Sequence, residues 1–141
     1  MRENEEIVRA ARGWIGTPYR HQASVRGVGC DCLGLVRGVW REVLGAEPER
    51  APAYGAGGAE AGGEALLAAA RRHLAEIPPG AAGAGDVLLF RWRSHLPARH
   101  AGIAVSPTHM IHAQEAACVT EIYLSGWWRR HLAHAFRFPG G

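Results

Sequence analysis

A chain of 141 residues can bury one core but is too short for a second domain of ordinary size, so residues 1–141 are read as a single unit. The formal charge is only +3 and all 16 basic residues are arginine, which fits GC-rich codon usage better than selection for phosphate contacts and argues against a nucleic-acid partner. The opening MRENEEIVRA has no apolar stretch of signal-peptide length, nothing later approaches a membrane span, and three cysteines suit free thiols better than a disulfide framework, so a chain made in the cytoplasm is expected.

In chain order, Ile7, Val8, Ala11, Trp14 and Ile15 share one helical face behind Asn4 as N-cap, and Gly16 with Pro18 ends that helix. A glycine-punctuated stretch over 17–29 leads to Asp31, after which Leu33, Val36, Val39, Trp40 and Val43 recur at helical spacing up to Gly45. Asp31 is the expected N-cap and Cys32 the first helical residue. Residues 46–63 read as a long surface loop, a candidate for gating by length alone, before an alanine-rich helix over 64–75. Short apolar runs then predict strands at 86–92, 101–105, 110–113, 119–123 and 133–138. Helices first and strands afterwards predict an α+β fold, with helices packed on one side of an antiparallel sheet of about five strands.

Cys32 carries the chemistry of interest. A thiol is nucleophilic as thiolate, and the unpaired N–H groups of a helix start favour negative charge there. The same groups suit the oxyanion of a tetrahedral intermediate. The plainer alternative is a small apolar residue filling the interface beneath the helix. Cys118 is expected to serve packing, and Cys30 is assigned no chemistry.

Of the eight histidines, His73, His131, His134, His95 and His109 sit in contexts that suggest solvated side chains. His100 and His112 fall on consecutive strands joined through Ser106-Pro107-Thr108. A loop with an odd number of residues puts both on one face, and a turn at 105–107 would make them direct cross-strand neighbours. His100 is then a base within reach of the thiol and His112 the polar group that orients it, while a structural or metal role stands beside this reading.

The segments GTPYR at 16–20, GCDCLGLVRGVW at 29–40, GDVLLF at 85–90, RHAGIAV at 99–105 and MIHA at 110–113 occur in an order that resembles the NlpC-type cell-wall peptidases, a papain-like family. The likeness is greatest to small phage and gene-transfer-agent members. It implies a papain-like fold with Cys32 as nucleophile, His100 as base, His112 as third polar residue and Tyr19 as an aromatic lining the cleft. It also implies hydrolysis of peptidoglycan stem peptides, typically between D-glutamate and diaminopimelate, through a thioester and without cofactor or metal. Leu33 stands where the family usually has serine, and His21-Gln22-Ala23 replaces a frequent glycine pair.

That resemblance further implies an enzyme carried on a phage-like tail tip or baseplate and acting in the periplasm. The C-terminal LSGWWRRHLAHAFRFPGG has tryptophans and arginines suited to docking, or equally a final strand with one tryptophan packed on the domain. Three other readings stand beside the peptidase. Cys30, Cys32, His100 and His112 supply two sulfur and two nitrogen ligands for zinc, although C-x-C with H-x11-H is unusual spacing. Papain-like sites also run amidase or acyl-transfer chemistry on non-wall substrates. A structural tail protein is the third.

Overall fold

The computed structural model describes residues 2–49 and 65–140. Helix α1 (Arg2–Arg12) presents Ile7 and Ala11 to the core, one helical turn apart, and the turn that follows delivers Trp14, which is 1 % exposed. Asn4 lies inside α1 rather than capping it. The helix also ends at Arg12, so Ile15 has left its face and is solvent-exposed.

A two-stranded antiparallel ribbon, β1 (Ser24–Val25) and β2 (Gly29–Cys30), fills the stretch the sequence marked only by glycines. It leads directly into α2 (Cys32–Val43), whose N-cap is Asp31 as expected. Leu35 and Val39 bury one stripe of α2. Gly34 and Gly38 share that helix for a steric reason. A Cβ on Gly34 would meet the Ala23 carbonyl oxygen at 1.9 Å, and one on Gly38 would meet the Trp14 ring at 2.0 Å. The indole of Trp14 lies in the groove that Gly38 leaves, and its Nε1 donates to Glu42 Oε2 at 2.7 Å.

Helix α3 (Ala65–His73) agrees with the alanine-rich prediction, while the expected loop lies outside the described residues from position 50 onward. Five further strands follow the predicted runs: β4 (Val87–Phe90), β5 (His100–Ala104), β6 (His109–Ala113), β7 (Val119–Tyr123) and β8 (Leu132–Arg137). A sixth strand of the sheet, β3 (Ala75–Ile77), was not foreseen. It is a three-residue edge strand caught between a helix and a proline pair, too short to show a period. The order is β3-β8-β4-β5-β6-β7 and every pairing is antiparallel. A short helix, α4 (Gly126–His131), precedes β8 and was also unforeseen.

Strand alternation divides the core. Val87, Leu89, Ala101, Ile103, Ile111 and Phe136 pack with Leu35 and Val39 on the helix side. Leu88, Phe90, Ala104, Met110 and Ala135 pack on the other side, with Trp92, Trp128 and Leu132 against them. No helix among the described residues is long and apolar enough to cross a membrane.

The Trp14 groove makes a prediction. Gly38→Ala should gain about 1 kcal/mol of helix propensity yet destabilise the protein by about 1–3 kcal/mol through overpacking. Urea unfolding checks the sign: a higher midpoint for the variant would show that the groove does not hold the two helices in register.

Candidate active site

The site begins at the start of α2. Asp31 is 2 % exposed, and its two carboxylate oxygens serve different segments. Oδ1 accepts from the Gly34 backbone N–H at 2.8 Å, capping the helix, and Oδ2 accepts from the Gln22 N–H at 2.7 Å, holding the preceding loop against it. Gln22 sits at φ 65, in the left-handed region, where the sequence had only suggested a lost glycine.

Cys32 is the first residue of α2 and is partly buried. The backbone N–H groups of Ala101, Leu33 and Cys32 itself lie against its sulfur and favour the thiolate, but burial, helped by the Asp31 charge, outweighs them and pushes the thiol up to about 12. Cys30 is fully buried in the core and is likewise pushed up to about 12, first by burial and then by Asp31 and Cys32. All three cysteines are free thiols.

Tyr19 reaches the same neighbourhood through its backbone. It pairs with Cys30 in a parallel bridge and its N–H donates to the Ala117 carbonyl at 3.0 Å. Its ring packs beside Cys32 against the helix-side core. Burial first, then the neighbouring Cys32 and Asp31, raise its hydroxyl to about 12, so it stays a neutral donor.

His100 opens β5 and His112 lies on β6, and a 2.9 Å hydrogen bond joins His100 Nε2 to His112 Nδ1. The two are not direct cross-strand partners. The ladder pairs Ile103 with Ile111 and Ala104 with Met110, which centres the turn on Ser106, Pro107 and Thr108, one residue later than the alternative considered from sequence. Extending the register places His112 opposite Gly102 and diagonal to His100, on the same face. Gly102 leaves the space for that diagonal: a Cβ there would meet Met110 Sδ at 2.5 Å and His112 Cβ at 3.4 Å.

Burial holds both rings neutral. It lowers His100 to about 3, with His112 adding to the effect, and lowers His112 to about 4. Trp128 of α4 covers the pair, with ring centroids 5.7 Å from His100 and 5.3 Å from His112. Trp92 stacks on His100 at 5.7 Å. This aromatic cover is the part of the site that sequence reading missed. The only signal was the WW dipeptide, and nothing in its spacing said which indole faced inward.

The structure therefore brings His100 and His112 into contact and sets Cys32 against the backbone of Ala101, the residue next to His100. No direct hydrogen bond joins the thiol to either imidazole among the described residues; such bonds often tighten only when substrate is bound. Nor, among the described residues, does any group of three or more His, Cys, Asp or Glu converge as metal ligands would, so the four residues of the zinc reading do not form a set. His131, expected to be solvated, is instead stacked on Trp127 at 4.0 Å. An apolar cleft of about 340 Å³ runs from Cys32 along α2, past Val36, Trp40, Leu66 and Ala101.

The sequence matches the model of the NlpC/P60 family over residues 16–137. No curated protein sequence matches the chain. Among solved structures, the NlpC/p60 domain of the peptidoglycan hydrolase SagA is similar with a TM-score of 0.67 at 24 % identity, over 96 % of this chain and 98 % of that one. A Staphylococcus aureus protein of the NLP/P60 family, described as similar to lipoprotein, has a TM-score of 0.69 at 20 % identity, over 99 % of this chain and 42 % of its own. A Bacillus cereus NlpC/P60 family protein has a TM-score of 0.69 at 19 % identity, over 96 % and 40 %. The chain thus spans less than half the length of the last two, and at these identities the likeness is one of fold.

The neutral histidine pair predicts how stability depends on pH. Both groups titrate lower in the folded state than the ordinary 6.5, so their contribution is complete above pH 6.5 and is lost as pH falls toward 4 and then 3. Between pH 6.5 and 4.5 the unfolding free energy should fall with a slope approaching two protons, about 1.4 kcal/mol per pH unit for each. His112→Asn should remove about half of that slope. An unchanged slope in urea titrations would show that His112 is protonated in the folded protein.

Proposed function

The chain belongs to the NlpC/P60 family, and on that premise we propose that it is a cysteine endopeptidase of the bacterial cell wall, with Cys32 as nucleophile, His100 as general base and His112 as the residue that orients it. The observation that carries this reading is the 2.9 Å bond from His100 Nε2 to His112 Nδ1, because it leaves His100 Nδ1 as the nitrogen available to a thiol. For that nitrogen to accept a proton, His100 must carry its own proton on Nε2 and donate it to His112 Nδ1, which assigns the tautomer of both rings.

The resting pair is a neutral thiol and a neutral imidazole. His100 takes the thiol proton as the sulfur attacks the peptide carbonyl, so the two charges appear together and stabilise each other. The carbonyl oxygen becomes an oxyanion beside the N–H groups of the helix start, where one well-placed donor is worth about 2.7–4 kcal/mol. His100 then gives its proton to the leaving amine. A water molecule, deprotonated by the same ring, hydrolyses the thioester and returns the proton to sulfur. Tyr19, neutral and beside the thiol, supplies a hydroxyl and a ring face to the substrate backbone.

The substrate in this reading is a peptidoglycan stem peptide and the bond is that between D-glutamate and diaminopimelate. Support comes from family membership and from the motif order of the sequence. The likeness to small phage and gene-transfer-agent members further supports an enzyme mounted on a phage-like tail and opening the envelope from the periplasmic side. Mass spectrometry of purified particles tests that placement, and particles complete without this polypeptide would refute it.

A second reading draws on the apolar cleft of about 340 Å³ that reaches Cys32. It suits an aliphatic acyl group better than a carboxylate-rich stem peptide, and so favours an amidase or acyltransferase acting on a non-wall substrate.

One experiment separates the two. Purified protein incubated with peptidoglycan should release peptides cut after D-glutamate, and Cys32→Ala should release none. His112→Ala should lower kcat by about 10²–10⁴-fold with KM little changed, and His112→Asn should recover part of the loss. Accumulation of an acyl-enzyme from long-chain esters, with no wall peptide released, would favour the second reading.

A further inference from the structure

The aromatic cover of the histidines continues outward into solvent. Beyond Trp92, which stacks on His100, lies Trp127, with ring centroids 5.6 Å apart. Trp127 is 45 % exposed, an unusual state for an indole, yet it is held on several sides. His131 stacks on it at 4.0 Å with an interplanar angle of 23°, and Trp128 meets it edge-on at 5.0 Å. His131 Nδ1 also bonds the Trp127 carbonyl oxygen at 2.6 Å. Arg129, which donates to the carbonyls of Leu124 and Pro107, ties α4 back to the sheet. The result is a fixed aromatic shelf that starts at the proposed base and ends in water.

We propose that Trp92, Trp127 and His131 form a subsite for a pyranose ring of an amino-sugar glycan, so that the enzyme cuts stem peptides still attached to their glycan strand. The inference rests on the stem-peptide reading of the same site and names a part of the substrate which that reading leaves open.

Three features favour a sugar. One face of a pyranose is a sheet of C–H groups carrying slight positive charge, which complements the negative face of an indole. Exposed Arg93, Ser94 and Arg130 adjoin the shelf in sequence and offer hydrogen-bond donors of the kind sugar hydroxyls and amides need. The shelf is also continuous with His100 through the Trp92 stack, so a group lying on it adjoins the proposed base. Trp92, the inner end of the shelf, lies 5.7 Å from the His100 ring, and two extended residues span about 7 Å, so a sugar carried two residues before the cut reaches Trp92 and extends toward Trp127. Binding energy gained there from a part of the substrate that does not react holds the peptide in place for attack.

The test compares one stem peptide in two forms, free and linked to its disaccharide, using the full chain. The wild type should prefer the linked form by about tenfold in kcat/KM, and Trp127→Ala should bring that ratio close to one, while Trp127→Tyr, which restores an aromatic face, recovers it. No preference in the wild type, or an equal ratio in wild type and Trp127→Ala, overturns the proposal and leaves the shelf to packing or to a protein partner. If the wild type cleaves neither form, the peptidase reading fails, and titration with an N-acetylglucosamine oligomer decides the shelf alone. Quenching of tryptophan fluorescence that Trp127→Ala abolishes upholds the subsite, and no quenching in the wild type refutes it.

Discussion

One buried carboxylate determines where the thiol stands. Asp31 caps α2 through one oxygen and holds the loop at Gln22 through the other, so the helix start and the segment in front of it cannot move independently. Gly34 completes the arrangement, because only a residue without a side chain lets the Ala23 carbonyl come so close to the helix. The same negative charge opposes ionisation of Cys32. Together with burial, the larger effect, the anchor therefore works against a resting thiolate at Cys32. In the proposed mechanism both thiol and imidazole therefore stay neutral until the proton moves, rather than holding an ion pair at rest.

Burial on the histidine side follows the same logic. Trp128 sits over both rings and Trp92 over one of them, which shields the bond between them from solvent. His112 Nε2 is buried without a hydrogen-bond partner among the described residues. In the proposed tautomer an unsatisfied N–H there costs about 1–3 kcal/mol, which the packing around the pair must offset. The same proposed tautomer makes His112 the acceptor for His100.

Much of this was legible in the sequence, for identifiable reasons. The cap at Asp31 and the helix beginning at Cys32 follow from side-chain chemistry that acts within four residues. The strands at 119–123 and 87–90 follow from apolar runs bounded by turn residues. The shared face of His100 and His112 needed only the parity of the turn. Where long-range packing decides, the sequence was silent. β3 exists because β8 offers it an edge, and the inward face of Trp128 depends on how α4 leans on the sheet. Gln22 adopts a left-handed conformation because a carboxylate nine residues away holds it there. Asn4 shows the converse, since a good capping residue does not begin a helix when the preceding turn can already form.

The turn between β5 and β6 has a consequence for how this protein can vary. Exposed three-residue turns are usually where a lineage accepts insertions and deletions. Here Ser106, Pro107 and Thr108 set the parity that keeps His112 on the face of His100, and one residue gained or lost would rotate every later side chain of β6 through the sheet. The segment can change its length only in steps of two, and Ser106 is itself tied into the turn, its Oγ accepting from the Thr108 and His109 backbone N–H groups at 3.1 Å. A surface turn is thus under the same constraint as the buried histidine pair it spaces.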